Sequence, residues 1–477
     1  MKKILRPILC GGVLAALLCT PSLAAEQGDF SLLVNGEPVA FTDAAPVLKD
    51  GRSFLPVATT FQALGFAQED IVWNGETQSV TASKDGTTIS LTVGDSAVTW
   101  TGPSWSQTSE DGTSGSAGGS GGIAYLDAAP YIDPATNRTY IPVGLVADIL
   151  GCRVAWDGAT STVIIDDVDA ILAENTETYE RMDQYLDYAR KYSQGNYQVE
   201  GSYLLTSAPG EMESGAEIIH TIGGDYNLIS SQTAMQFAMD MSISGTIMGA
   251  PIAPTDMNLD MRADLDTGML YLYFQSEDLE QLMNNNVQVN GESVEFQIPD
   301  QWYRLDMKAV YDEAYGPGFY EELIALSTAS QEAAFAQTLE ELLKSDTLIL
   351  TSTATTSDYL EALNQLLGDS HFQKSGSTYT STLEQDGVTI LFHLYTSGGQ
   401  VNGYGMEMTA SETTGMEMTM TMEMKGDDMS LLMEMAGMTM EMDGTYRPSS
   451  TAPKTEPPAD ATVVDLWELL TTPVSEL

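Results

Sequence analysis

The sequence predicts an α+β protein, mainly antiparallel β. A duplicated small sheet-on-helix module comes first, then a connecting helix, then a larger β-meander, half-barrel-like domain with a few helices. Three observations support this order: one set of motifs occurs twice near the start, residues 168–193 have helical periodicity, and short alternating apolar runs dominate the remainder. The 477 residues suffice for roughly three domains of about 150 residues.

Residues 1–24 have the organisation of a secretory signal peptide. A basic start at 2–6 precedes an apolar run at 8–19, and small residues follow at 22–24. The run is too short to span a membrane, so we expect it to be removed and the mature protein to be secreted, with cell-wall association as one option. A lipid anchor is the less favoured alternative, because Leu9 and Leu18 precede the cysteines where a small residue is needed.

Acidic residues dominate the charge of the chain. Lys plus Arg total 19 against 68 Asp plus Glu, for a formal net charge of −49. Nucleic acid is therefore excluded as a partner, and the charge indicates a solvated acidic surface, with diffuse cation binding as an alternative.

Only Cys152 lies beyond the signal, so no intrachain disulfide forms. Because Cys152 follows Gly151 and precedes a strand, we expect it to be buried and unreactive.

Four motifs occur in the same order in two copies, at about 31–92 and 93–167. They are Asp43–Pro46 with Asp127–Pro130, Arg52–Val57 with Arg138–Val143, Leu64-Gly65 with Leu150-Gly151, and Val72–Thr77 with Ala155–Thr160. A Gly- and Ser-rich insert at 102–122 interrupts the second copy as a flexible surface excursion. Its part from Gly112 to Gly122 is expected to be mobile and to be the first site cut by a protease. The repetition indicates one structural unit used twice.

Each copy has the pattern strand, short helix, hairpin. Pro56 and Pro142 suit the first helical position, and Gly65 and Gly151 suit a left-handed stop. Two-residue hairpin turns are predicted at Asn74-Gly75, Asp85-Gly86 and Asp157-Gly158.

Together with Leu33–Gly36, these motifs make residues 31–167 resemble the stalk domain named after the N-terminal region of copper amine oxidases. The resemblance implies a small antiparallel sheet wrapped on a helix, used in exported proteins as a spacer or binding module. It implies neither copper nor catalysis, because the module carries no metal ligands in those oxidases. Ala58 and Gly144 stand where many members carry a basic residue.

Helical periodicity returns three times after the repeats. Residues 168–195 are predicted as one connecting helix, and further helices are predicted near 319–344 and 357–367, the last capped by Ser357 and ended by Gly368. Residues 447–477 are predicted as a linker and a short terminal helix beginning at Val463.

The β-rich domain, 196–446, ends in a methionine-rich meander. Thirteen of the 25 methionines fall between Met406 and Met442, and they alternate with polar residues, as expected for strands with one apolar face. The candidate face for an apolar ligand comprises Met416, Met418, Met420, Met422, Met424, Met433, Met435, Met438, Met440 and Met442. With the preceding helix, this meander resembles the half-barrel of periplasmic lipoprotein carriers. Two alternatives remain: a core sealed by helix 319–344, or a soft site for Cu(I).

Catalytic machinery is not recognisable in the sequence. His220, His371 and His393 are the only histidines and none is at close ligand spacing to another, so copper amine oxidation is excluded and no cofactor is expected. Gly118–Gly122 matches a nucleophile elbow only by composition, and Gly368–His371 is better explained as a helix stop and turn.

The sequence thus predicts a non-enzymatic exported binding protein or cell-envelope-associated protein that does not span a membrane. The partners expected are a cell-wall component or another envelope protein, and an apolar small molecule or lipid. The alternative is a structural or interaction protein of the envelope with no small ligand.

Overall fold

In a computed structural model of the protein, the chain divides into two compact units, formed by residues 1–176 with 340–362 and by residues 177–339 with 363–477. The structure describes residues 31–49, 52–102, 106–108, 114–116, 121–126, 128–142, 151–192, 195–207, 210–211, 217–247, 250–278, 280–281, 288–289, 292–293, 297–329, 333–345, 348–385, 387–410, 418–435 and 437–467. The signal segment lies outside this range, as does most of the insert at 102–122. The described part is α+β and mainly antiparallel, as predicted.

The first unit consists of short strands in small sheets around helix α1 (Val57–Ala63). Its strands are β1 (Ser31–Val34), β2 (Glu37–Pro38), β3 (Val47–Lys49), β4 (Arg52–Pro56), β5 (Ile71–Asn74), β6 (Ser79–Lys84), β7 (Thr87–Thr92), β8 (Ala97–Thr101), β9 (Ser106–Thr108), β10 (Ser114–Ser116), β11 (Gly122–Tyr125), β12 (Tyr131–Asp133), β13 (Arg138–Pro142), β14 (Arg153–Asp157) and β15 (Thr162–Asp166). Helix α2 (Val168–Glu174) follows. The main sheets have the orders β14-β15-β1-β2, β11-β8-β7-β6-β5 and β12-β13-β4-β3.

Equivalent strands of the two copies pair with each other. β4 and β13 are antiparallel, with Leu55 opposite Ile141, and both side chains are fully buried. Arg138 of the second copy forms an ion pair with Asp43 of the first, and the Tyr140 hydroxyl donates to the Ala45 carbonyl at 2.7 Å. The repeated motifs therefore hold the two copies against each other in a shared core.

One of the three predicted two-residue turns has the predicted length, and the other two are longer loops. Asp85-Gly86 forms a two-residue turn with both φ angles positive, as predicted. The two-residue turns at Asn74-Gly75 and Asp157-Gly158 were predicted wrongly. Asn74 and Asp157 end their strands, and the loops that follow have four residues, with the left-handed residue at Gln78 or Ser161. The Asn74 side-chain oxygen accepts the N–H groups of Glu76 and Thr77, and this local hydrogen bonding builds the longer loop.

Helix α1 ends as predicted, with Gly65 left-handed at φ +84°, and Gly151 is also left-handed. Pro56 precedes the helix as its N-cap, one residue earlier than predicted. The helix predicted between Pro142 and Gly151 lies outside the described residues. Cys152 is 7% exposed, as predicted, and burial, with a smaller contribution from Asp167, raises the pKa of its thiol to about 12. Its low reactivity stays a prediction.

A segment from much later in the chain completes the first unit. Asp157 accepts the N–H of Ser352 at 2.9 Å and Asp166 accepts that of Thr356 at 3.1 Å, while Arg153 donates to the carbonyls of Leu343 and Leu348. Side chains of the second copy thus satisfy backbone groups of residues 340–362, which lie far away in sequence.

Asp157 is expected to stabilise the first unit in a pH-dependent way. Burial alone would raise the pKa of this carboxyl, but hydrogen bonds from Ser352, Thr160 and Ala159 outweigh it and lower the pKa to about 2. A lowered folded-state pKa contributes stability above the unfolded pKa, near 4, and that stability is lost as pH falls to about 2. Asp157→Asn should therefore cost about 2 kcal/mol at pH 7.

Chemical denaturation at a series of pH values tests this expectation. The stability difference between Asp157→Asn and the parent protein should shrink below pH 4. Asp169→Asn removes the same charge from a side chain that is 77% exposed, and it should change stability little. A constant difference from pH 7 to pH 2 would contradict the role assigned to the Asp157 carboxylate.

The second unit is built on one large sheet. Its strands are β16 (Asn196–Ser207), β17 (Gly210–Glu211), β18 (Glu217–Ser230), β19 (Ala234–Ile247), β20 (Ala250–Asp264), β21 (Met269–Gln275), β24 (Trp302–Asp306), β25 (Gln373–Ser375), β26 (Thr378–Gln385), β27 (Val388–Ser397), β28 (Gln400–Ala410), β29 (Met418–Lys425), β30 (Asp428–Met435), β31 (Met438–Ser449) and β32 (Val463–Asp465). A separate hairpin pairs β22 (Gln288–Val289) with β23 (Glu292–Ser293). The strand order is β25-β26-β27-β28-β29-β30-β31-β16-β18-β19-β20-β21-β24-β32, with β17 paired to β18.

The described helices of this region are α3 (Glu180–Arg190), α4 (Met307–Tyr315), α5 (Phe319–Ala329), α6 (Phe335–Lys344) and α7 (Thr356–Leu367). The boundary between the two units falls within α6 and α7. Among these, α3 packs on the large sheet through strand β28.

The prediction of one continuous helix over 168–195 was wrong. Helix α2 ends at Glu174 because Asn175 adopts an extended backbone, and α3 begins at Glu180. Asp369 accepts the N–H groups of Glu180 and Arg181 and so caps α3 from a distant part of the chain.

Two smaller predictions also need correction. Thr355 and Asp358 exchange hydrogen bonds at the start of α7, so Thr355, and not Ser357, caps that helix. Val463–Asp465 is a strand parallel to β24, where the predicted terminal helix was to begin, because pairing there satisfies the backbone groups of an edge strand. Residues 466–467 are helical, and residues 468–477 lie outside the described residues.

Candidate functional site

The methionines of β28 to β31 lie in rows across one side of the large sheet. One row contains Met408, Met420, Met433 and Met440, and the next contains Met418, Met435 and Met438. On the other side of the first row lie Met406, Met422, Leu431 and Met442, followed by Tyr404, Met424 and Met429. We call these four rows the methionine face. The described candidate methionines therefore share one face, and Met416 lies outside the described residues.

Burial changes steadily across the methionine face. Met422 and Met424 are 4% and 5% exposed, and Met438 is 39% exposed. The remaining candidates are half-buried: Met418, Met420, Met433, Met435, Met440 and Met442. One end of the face is thus protein core and the other end is accessible.

Helix α3 is the reason for this gradient. The Tyr185 ring lies 5.1 Å from the Tyr404 ring and 6.3 Å from the Phe392 ring, and the Tyr188 hydroxyl donates to the Gly426 carbonyl at 2.7 Å. These contacts hold α3 over the end of the face that contains Met424. Helix α3 therefore covers this end of the face. The sequence offered the region 319–344 as the alternative cover, but α5 in that region packs against α4.

The accessible rows continue beyond the methionines onto the neighbouring strands. Met440 pairs with Leu205 of β16, Leu205 with Ile222 of β18, and Ile222 with Ile243 of β19. All three aliphatic side chains are half-buried. The result is an apolar strip across adjacent strands, which can bind an apolar group by removing it from water.

Peroxide oxidation should map the accessible part of the methionine face. Hydrogen peroxide converts an accessible thioether into a sulfoxide with release of water. Peptide mass spectrometry of briefly treated native protein should find Met438 oxidised first, and Met422 and Met424 last. Denatured protein, as the control, should lose this order. Equal oxidation of Met438 and Met422 in the native protein would show that α3 does not shield the face.

The reverse side of the sheet carries a polar cavity that sequence reasoning missed. Glu200, Asp225, Asp240 and Asp443 line an open surface cavity of about 520 Å³. Neighbouring side chains already donate to three of these carboxylates, Gln198 to Glu200 at 3.1 Å, Asn258 to Asp240 at 2.6 Å and Ser202 to Asp443 at 2.7 Å. The four carboxylates come from four different strands, so no local sequence motif predicts that they line one cavity.

A metal site built from imidazole, thiolate or carboxylate ligands is not formed in the described part of the chain. It contains no group of three or more His, Cys, Asp or Glu side chains arranged to hold a metal ion. His393 lies near the Thr380 hydroxyl at 2.9 Å, and His371 lies 3.7 Å from Glu177.

The Gly368–His371 motif has a structural role in the second unit. The Ser370 hydroxyl donates to Glu177 at 2.5 Å, and its neighbour Asp369 caps α3. The proton of the Ser370 hydroxyl is thus directed to a carboxylate and not to an imidazole, so the arrangement of a Ser-His nucleophile is not formed. Gly118, Gly119 and Ser120 of the other glycine-rich motif lie outside the described residues.

The duplicated module of the first unit has a recognisable family. Its equivalent strands β4 and β13 pair with each other, each with Arg at its start and Pro at its end. Residues 33–165 match the model of the copper amine oxidase N-terminal domain. The copper amine oxidase N-terminal domain covers less than a third of the chain, and the match is to this domain and not to a catalytic domain.

Two further comparisons concern the whole chain. A crystal structure of a beta-barrel-like protein of domain of unknown function DUF1849 from Brucella abortus is similar at 11% identity and a TM-score of 0.19, over 53% of this chain and 98% of that chain. No curated protein matches the sequence. The resemblance of the second unit to lipoprotein carriers is not confirmed by these comparisons. Within the described residues, no helix is long and apolar enough to cross a membrane.

Proposed function

We propose that the protein is an exported, non-enzymatic binding protein of the cell envelope. The copper amine oxidase N-terminal domain serves as a spacer or wall contact, and the accessible part of the methionine face holds an apolar small molecule or lipid. The observation that carries this proposal is the strip of half-buried methionine and aliphatic side chains that α3 leaves uncovered.

Exposing such an apolar strip to water is unfavourable. Large contiguous apolar patches on soluble proteins mark binding sites, because apolar surface left in water is unfavourable. Methionine is unbranched and polarisable, so a row of methionines adapts to ligands of different shape. The strip is therefore suited to a flexible apolar ligand.

The first unit supports the role of a contact surface. Trp73 and Trp156 stand at equivalent positions in the two copies and are 45% and 46% exposed. Each indole lies close to the glycine of the adjacent loop, Gly75 or Gly158. An indole combines an apolar ring with one donor, which is typical of residues at binding surfaces.

Lipid extraction from natively purified protein tests the proposal. Mass spectrometry should detect a co-purified apolar molecule, and a fluorescent long-chain probe should bind the emptied protein. Met433→Gln should weaken probe binding, because it places an amide in the strip. Leu432→Gln is the matched control, because Leu432 lies one residue away on the reverse side of β30 and is 41% exposed in the parent protein. This substitution should not weaken probe binding. Absence of both a co-purified molecule and probe binding would favour a structural envelope protein with no small ligand.

A further inference from the structure

We propose that the ligand of the methionine face is an uncharged long-chain lipid, bound in preference to fatty-acid carboxylates and anionic phospholipids. This inference rests on the proposed function and names its ligand class. Two properties of the face carry the inference, its charge and its length.

In the described strands that form it, the accessible strip offers almost no Lys or Arg to an anionic lipid. The described segments of β16, β18, β19, β28 and β30 contain no Lys or Arg. Lys425 and Arg447 stand at the ends of β29 and β31, and each lies beside a carboxylate, Glu423 and Glu200. A lipid carboxylate or phosphate on this strip would lose hydration without gaining an ion pair, which is unfavourable.

The reverse side of the same strands is acidic. Alternation along β28 to β31 places Glu407, Glu423, Glu434, Glu441 and Asp443 on the side opposite the methionines. The whole chain has a formal net charge of −49. Both features produce a negative potential that repels an anionic ligand. An uncharged ligand is not affected by this repulsion.

The length of the strip fits a long chain. One row runs through Met408, Met420, Met433, Met440, Leu205, Ile222 and Ile243, each on the next strand of the sheet. At about 4.8 Å between strands, the row spans about 29 Å. An extended sixteen- or eighteen-carbon chain can therefore lie along it within the protein.

Competition between two lipids of equal chain length tests the inference. Monopalmitoylglycerol and palmitate should be compared as displacers of a neutral fluorescent probe at pH 8, where the carboxylate is ionised. We expect monopalmitoylglycerol to bind at least about 10-fold more tightly, because only the carboxylate must be desolvated without a partner.

A lysine introduced at the rim provides the matched variant. Met438 lies at the accessible end of the methionine face and is 39% exposed, while Leu432 lies on the reverse side and is 41% exposed. Met438→Lys should raise the affinity for palmitate relative to that for monopalmitoylglycerol several-fold, because only the carboxylate gains an ion pair. Leu432→Lys adds the same charge and should change neither, so it controls for net charge.

The outcomes distinguish a wrong ligand class from a wrong proposed function. Equal or tighter binding of palmitate by the parent protein would overturn the ligand class and leave the proposed function intact. Failure of both lipids and of the probe to bind would overturn the proposed function itself. An equal gain for palmitate in both lysine variants would show that net charge, and not the face, selects the ligand.

Discussion

Replacing Met422 with alanine is expected to lower the free energy of unfolding by about 2 to 5 kcal/mol, the usual cost of removing a buried methionine side chain. Met422 is 4% exposed and lies between Met406 and Leu431, both also buried. The cavity left by the substitution cannot be filled by water without exposing these neighbours. The loss should be seen in chemical denaturation of the second unit.

Met420→Ala is the matched comparison, two residues away on the same strand and the same face. Met420 is half-buried in the accessible part, so its truncation removes less contact with the protein. We expect a clearly smaller loss of stability and a measurable weakening of lipid-probe binding. Similar stability losses for the two variants, with no change in probe binding for Met420→Ala, would mean that the whole face is sealed core and that the binding proposal is wrong.

Gly201→Ala is expected to destabilise the second unit by at least about 3 kcal/mol, at the upper end of what overpacking costs. A Cβ atom at Gly201 would lie 1.8 Å from the Asp443 carbonyl oxygen and 2.7 Å from the Tyr226 hydroxyl. The first of these contacts is with backbone, so strands β16 and β31 would have to separate where they pair.

Two further variants make this prediction specific. Gly223→Ala should cost less, because its Cβ would meet the Leu204 side chain at 3.0 Å and the Tyr203 carbonyl oxygen at 3.1 Å. Tyr226→Phe removes the hydroxyl that donates to Asp443 but leaves the backbone clash. The double variant Gly201→Ala with Tyr226→Phe should therefore melt no higher than Gly201→Ala alone in thermal unfolding. Full rescue would place the conflict in the side chain and refute the backbone explanation.

Local patterns were sufficient for several features of the fold. The turn at Asp85-Gly86 and the left-handed Gly65 follow from the backbone freedom of these residues, which requires no distant partner. The alternation of methionines likewise determined that they share one face, because successive side chains of any strand point to opposite sides. The family of the first unit was also recognisable from its repeated motifs.

Distant hydrogen bonds explain most of what local patterns missed. The break between α2 and α3 depends on Asp369, which lies far from Glu180 in sequence. Residues 340–362 belong to the first unit because Asp157 and Asp166 accept their backbone N–H groups. Neither contact leaves a signal within a short stretch of sequence.

The sequence by itself determined that the described candidate methionines lie on one side of their strands. Only the tertiary structure decided which of those methionines are core and which are accessible. The physical reason is that alternation sets the side of a strand on which a residue lies, whereas burial depends on what packs over that side. Here α3 packs on Tyr404 and Gly426, at the end of the face where Met422 and Met424 are buried, while Met438 at the other end is 39% exposed.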